Sequence, residues 1–245
     1  MCYNIIMDRN TVDILGYGVD TFTFDEAVDY IVKNHGQVVT INPEMIESAN
    51  KNADYKNIIN SAEMVVPDGI GVQLGLKVLG YNVKRIAGID LGKALIRRAF
   101  YLKKSVALIG AKQEVVENAV INLKSEMPDL NIVYYHDGYF DDDSEVIDEL
   151  KVKKPDFVMV ALGSPKQEFF ISKLKSILPD AVMTGLGGSF DVWAGTVKRA
   201  PIIYQNLGLE WLYRAICEPK RLKRIFPTLP LFVLRVLKER FLKRK

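Results

Sequence analysis

From residue 37 onward, six short apolar runs, at 38–41, 64–66, 105–109, 131–135, 156–162 and 181–185, alternate with segments of helical spacing. A chain patterned in this way forms a mostly parallel sheet, because parallel neighbours need a crossover and the crossover helices cover the sheet faces. The clearest crossover runs from Ser105 to Tyr135, where Val115, Val116, Ala119, Val120 and Leu123 fall at helical spacing between two strand-like runs. Segments 143–153 and 167–178 read the same way. The expected fold class is α/β, a Rossmann-like mostly parallel sheet flanked by helices. With 245 residues, 49% of them hydrophobic, the chain can bury a sizeable core, and no repeat or low-complexity linker divides it.

The texture changes after Pro201. Residues 201–245 are aromatic and basic, and Pro219, Pro227 and Pro230 are expected to break them into short helical pieces. We therefore expect a core over 1–200 and a helical, basic appendage over 201–245. From Thr196 to the end, thirteen cations face three anions, a net +10, whereas the preceding residues carry −7. Such an asymmetry calls for an anionic partner at that end, whether phospholipid, diphosphate or nucleic acid. In the last piece, Val233, Leu234, Leu237 and Phe241 share one helical side while Arg235, Lys238, Glu239 and Lys243 fall mostly on the other, and Phe232 and Leu242 lie outside the apolar arc. This composition fits a helix lying on an anionic membrane surface. No uncharged run of eighteen residues exists, no positively charged leader precedes an apolar stretch, and Cys2 and Cys217 form no CxxC or metal spacing. The expectation is a reduced, cytoplasmic protein.

Candidate chemistry lies at the strand ends. Residues 185–201 hold four glycines, Asp191, Trp193, Lys198 and Arg199 directly after an apolar run, which suits either a backbone-lined ligand site or a plain turn. Asp68, in Val65-Val-Pro-Asp-Gly69, is either a general base or the aspartate of an Asx turn. Thr40 and Asn42 offer a hydroxyl and an amide to a sugar, or cap the helix starting near Pro43. Arg85 could grip a diphosphate or sit in a surface salt bridge, and Gln167 could bond a sugar or uracil or open a helix. Arg214, Arg221 and Arg224 form a basic surface or neutralise a leaving diphosphate. Trp193 and Trp211 could stack on a ligand but more often pack in cores.

These segments, with 40–45, 84–90 and 158–168, resemble in motif and order the WecG/TagA/CpsF family of bacterial glycosyltransferases, over about residues 12–224. The resemblance implies an inverting, metal-independent transfer of N-acetylmannosamine from UDP-ManNAc to GlcNAc-diphospho-undecaprenol, giving a β-linked precursor of wall teichoic acid or a related surface polymer. Relatives that use UDP-ManNAcA or a UDP-hexose keep the donor sugar open. It further implies that Asp68 is the catalytic base and that Thr40, Asn42, Arg85 and Gln167 bind substrate, with Arg214, Arg221 and Arg224 on the leaving UDP. Lys84 departs from the acidic residue expected before the arginine. The implied partners are a UDP-sugar, a polyprenyl-diphosphate-linked acceptor and the inner face of the cell membrane, with no cofactor, no metal and no nucleic acid; a homo-oligomer is a further expectation, with a core lacking 201–245 expected to self-associate through the apolar surface the appendage would cover.

Competing signals are weaker. Asp141 to Asp143 contain an Asp-x-Asp pattern, but they precede Ser144-Glu145 and read as the acidic start of a helix. Gly110-Ala-Lys112 lacks the glycine set of a dinucleotide enzyme, and His35 and His136 offer neither a zinc site nor a triad. A noncatalytic membrane or nucleic-acid adaptor would explain the basic end without using Asp68.

Overall fold

The structure, a computed structural model, describes residues 9–217, 219 and 222–243, leaving aside the side chains of Arg214 and Arg224. Six parallel strands form the main sheet: β3 (Gly36–Ile41), β4 (Met64–Pro67), β5 (Val106–Gly110), β6 (Ile132–His136), β7 (Phe157–Ala161) and β8 (Val182–Gly185). Their order is β4-β3-β8-β7-β5-β6. All six expected runs are strands, and each neighbouring pair is parallel. Strands β4, β5, β7 and β8 are buried at every residue, which is why they read as continuous apolar runs rather than as alternating ones.

An antiparallel hairpin, β1 (Thr11–Ile14) and β2 (Tyr17–Asp20), precedes this sheet. It turns through Leu15 and Gly16, both at positive φ. The fully buried Asp20 carboxylate joins the hairpin to the sheet: it accepts from the Val65 backbone N–H at 2.7 Å and from Arg9 Nε at 2.7 Å. A buried charge requires such partners.

One sheet face is covered by α1 (Phe24–Asn34), α5 (Gly88–Tyr101), α6 (Gln113–Glu126) and the short α9 (Ser189–Trp193). α1 starts with a capping box, Thr23 accepting from the Glu26 N–H while Glu26 returns the bond. The other face carries α7 (Ser144–Lys153) and α8 (Lys166–Leu174) at one end. Toward the other end it carries the hairpin, α2 (Pro43–Ala49), α3 (Ala53–Asn60) and α4 (Ile70–Leu79). α8 ends at Leu174, short of the 178 that the sequence suggested. After α10 (Ile202–Asn206) and α11 (Glu210–Cys217), the chain ends its described course in α12 (Leu222–Leu242).

α12 corrects one expectation. It runs unbroken for 21 residues with Pro227 and Pro230 inside it. Each proline frees the carbonyl four residues earlier, on Lys223 and Phe226, and both of those residues are exposed, so water can serve the released groups. Burial supplies the compensation: Phe232 and Val236 enter the same apolar cluster as Ile14, Tyr17, Ile46 and Leu76. Polar ties add to it, with Arg235 Nε 3.2 Å from Glu47 Oε2 and Glu239 accepting from the Leu15 N–H at 2.9 Å. Phe232 and Val236 thus face the body, with Arg235 and Glu239 tied to it alongside, while Val233, Leu234, Leu237, Phe241 and Lys238 stay largely exposed.

Candidate active site

A cavity of about 840 Å³ opens at the carboxyl ends of β3, β4 and β8. That is where open α/β sheets bind ligands, because the strands end there and loops and helix N-termini converge. Thr40, Asn42, Asp68, Arg85, Gly88, Leu186 and Ser189 line its sheet end, and residues of α4, α11 and α12 close it from above. Four of the residues proposed from the sequence therefore meet at one site although 45 positions separate the first from the last.

Asp68 follows β4 and is fixed by its backbone, its N–H donating to Ile41 O at 2.8 Å. The next residue, Gly69, takes φ +82 and lets the chain turn at once into α4. The backbone N–H groups of Gly88 and Gly69, at the starts of α5 and α4, lie beside the Asp68 carboxylate and favour its charged form. Burial, aided by nearby Glu210, pushes its carboxyl up to about 6 against the opposing pull of Arg85 and the two N–H groups. A carboxyl in this range is a usable proton acceptor near neutrality. Thr40 stands close by: a Cβ on Gly88 would come within 3.0 Å of Thr40 Oγ1, so glycine is needed for α5 to approach β3. Asn42 caps α2, its Oδ1 accepting from the Met45 N–H at 3.0 Å, and it also lines the cavity.

Arg85 belongs to a chain of charges. Its Nη2 lies 3.4 Å from Glu210 Oε1 and 3.4 Å from the Gln205 carbonyl. Glu210 also reaches Arg199, whose Nη1 and Nη2 grip both oxygens of Asp90 at 2.7 Å. The two-pronged contact between Arg199 and Asp90 is the strong geometry for this pair of groups. Asp90 sits in the first turn of α5 and Glu210 in that of α11, so the network fastens α11 over the sheet end. Of these, Arg199 falls in the candidate segment 185–201, whereas Asp90 and Glu210 were not proposed as site residues. A signal existed: Glu210 is one of three carboxylates in a segment with thirteen cations.

Gln167 lies apart from the residues lining the cavity. It is buried in the first turn of α8, where its Oε1 accepts from the Gly187 N–H at 3.0 Å and its Nε2 donates to Glu168 Oε1 at 2.7 Å. Glu168, itself buried, accepts from Tyr55 Oη at 3.2 Å, and burial raises its carboxyl above the ordinary value. A Cβ on Gly185 would fall 2.4 Å from Gln167 Nε2, so glycine there is what admits the amide beneath the loop. Gln167 thus holds the glycine-rich loop after β8, which carries Leu186 and Ser189 to the cavity wall.

Trp211 lines the cavity, whereas Trp193 stacks on Phe190 in the core. Asp142 accepts from the Ser144 N–H at 3.0 Å and Asp143 pairs with Lys173, so the acidic run starts α7, away from the cavity. Among the described residues, no group of three or more His, Cys, Asp or Glu side chains is placed to hold a metal ion. Arg221 and the side chains of Arg214 and Arg224 lie outside the described residues.

A sequence model described as "Glycosyl transferase WecG/TagA/CpsF family" matches residues 12–245. The chain belongs to this glycosyltransferase family. Among relatives of this glycosyltransferase is an N-acetylglucosaminyldiphosphoundecaprenol N-acetyl-beta-D-mannosaminyltransferase of Bacillus spizizenii, 40% identical over 231 residues, 94% of this chain and 90% of the relative. Proteins of the same name from Bacillus subtilis, at 42% identity over 86% of this chain and 85% of the relative, and from Staphylococcus aureus, at 36% over 93% and 92%, are also similar. The glycosyltransferase has no described helix long and apolar enough to cross a membrane.

Proposed function

We propose that this glycosyltransferase moves N-acetylmannosamine from UDP-ManNAc to GlcNAc-diphospho-undecaprenol, inverting the anomeric centre without a metal ion. The observation that carries the reading is Asp68, held on the cavity floor with its carboxyl raised to about 6, in a chain whose relatives share one enzyme name over nearly its full length. In the proposed step, Asp68 takes the proton of the acceptor hydroxyl as that oxygen attacks the anomeric carbon. The bond from that carbon to the UDP oxygen breaks, and UDP leaves with the electron pair. Arg85, which lines the cavity, is assigned to the diphosphate, and Arg214, Arg221 and Arg224 to the same charge. Thr40 and Asn42 address the sugar, and Gln167 acts through the loop it holds. The product is a β-linked lipid-linked disaccharide that feeds a wall teichoic acid or related surface polymer.

The acceptor's lipid places the enzyme at a membrane surface. Support comes from the basic C-terminal segment and from exposed Ile202, Ile203, Ile216, Phe226, Leu234 and Phe241 on it. The reaction is tested by a screen of UDP-sugars against a GlcNAc-diphosphate-lipid analogue, read by mass spectrometry. Addition of one N-acetylhexosamine from UDP-ManNAc alone is expected; preferred transfer from another UDP-sugar would replace the donor assignment.

A further inference from the structure

Resting on the acceptor just proposed, we propose that the groove between α4 and α12 holds the isoprenoid chain of the acceptor next to its diphosphate. α4 begins immediately after Asp68 and Gly69, so whatever lies along it starts at the reacting end of the cavity. Ile70, Leu74 and Val78 recur every four residues and form one apolar stripe along that helix, about 12 Å from first to last at the α-helical rise. All three line the cavity, yet Leu74 is 52% exposed and Val78 40%.

α12 forms the opposite wall and runs in the same direction as α4. A Cβ on Gly71 would lie 3.6 Å from Leu229, and one on Gly75 would lie 3.0 Å from Phe232. Further along, Arg240 donates to the Leu79 carbonyl at the end of α4. Two glycines on α4 thus let α12 settle beside it without filling the stripe of larger residues. From α12, Val233 and Leu237 add half-exposed apolar surface to the outer part of the same cavity.

The order of chemistry along the cavity matches one kind of molecule. First comes the proton acceptor Asp68. Next come the opening N–H groups of the ten-residue α4, which has no side-chain cap and directs its positive end at this point. Last comes the apolar groove, which widens to the exposed face of α12. A sugar joined through a diphosphate to a branched hydrocarbon presents the same three parts in the same order. A UDP-sugar has no apolar end to place there.

The test compares two soluble acceptors, GlcNAc-diphosphate carrying a farnesyl chain and GlcNAc-diphosphate carrying a methyl group, without vesicles or detergent. The farnesyl acceptor is expected to have a KM lower by about tenfold or more, since chain burial adds to binding. The double substitution Leu74→Ser with Val78→Ser, at half-exposed positions, should raise the farnesyl KM about tenfold and the methyl KM far less. Equal KM values in the parent, or an equal rise for both acceptors, would overturn the groove. Absence of transfer to either acceptor from every UDP-sugar would sink the proposed reaction instead. The groove is then read separately by tryptophan fluorescence, using Trp211 on the cavity wall. Farnesyl diphosphate should bind more tightly than inorganic diphosphate in the parent and lose that advantage in the double variant; no advantage in the parent refutes the proposal. A double variant that altered only self-association in sedimentation velocity would assign this face to a second copy of the chain, also against the proposal.

Discussion

Asp68 shows how one side chain can be poised by opposing forces. Burial disfavours its charge, while Arg85 and two backbone N–H groups favour it, and burial wins. Transfer should therefore rise with pH through about 6, following the ionised form, and Asp68→Asn should lower the rate by about 10²- to 10⁴-fold with donor affinity kept. Stability should move the other way. A carboxyl raised on folding favours the native state below its unfolded value and loses that contribution as pH rises through the folded one. Asp68→Asn should thus melt at or above the parent temperature near pH 7.5, with the gap closing as pH falls toward 4. A variant that melts lower at neutral pH, or a rate that is flat from pH 5 to 7, would contradict this account. Gln167→Ala is expected to cost about 1–2 kcal/mol in denaturant unfolding, because it strips a partner from the Gly187 N–H and the buried Glu168. The place of Asp68 at a strand end was legible because β4 and its Pro-Asp-Gly turn are contiguous, while the tripeptide alone left base and Asx turn open. Glu210 was hidden because it meets Arg85 across 125 positions, and no local pattern records such a contact.

At the scale of elements, legibility followed burial. The six strands could be read because the parallel sheet between helix layers demands unbroken apolar runs, and α6 because one face alone is buried. The first hairpin escaped notice: its strands have four residues each, with Thr11 and Asp13 exposed and the turn made by Leu15-Gly16. α12 escaped as one helix because proline is a local signal against helix, worth about 3 kcal/mol per residue, whereas the packing that overrides it comes from distant parts of the chain. Gly75 makes that packing testable. A Cβ there would stand 2.9 Å from Ile14 and 3.0 Å from Phe232, both in the core. Gly75→Leu should therefore push α12 off α4 and destabilise the protein by about 1–3 kcal/mol, against any gain in helix propensity. Unchanged stability in urea unfolding would show that α12 is not held as described.

The whole molecule divides its charge. A body carrying −7 joins a C-terminal segment carrying +10, of which Arg199, Arg235 and Lys243 already face Asp90, Glu47 and Asp13 of the body. The remaining cations and the exposed apolar residues beside them should bring the protein down with anionic vesicles, and salt should weaken this over a screening length of about 8–10 Å. Equal sedimentation with neutral and anionic vesicles would refute the electrostatic share. Transfer should also persist in EDTA, with arginine carrying the charge of the leaving group; activity lost to the chelator and restored by magnesium or manganese would overturn that reading. Phe232 and Val236 belong at once to the apolar core and to the cavity wall. Substrate occupancy and the seating of α12 are therefore linked equilibria, and linkage is reciprocal. An acceptor that binds tenfold more tightly with the helix seated must hold the helix in place by the same factor, about 1.4 kcal/mol. Amide exchange along α12 should slow as acceptor is added, so that the enzyme's own backbone reports how full its site is.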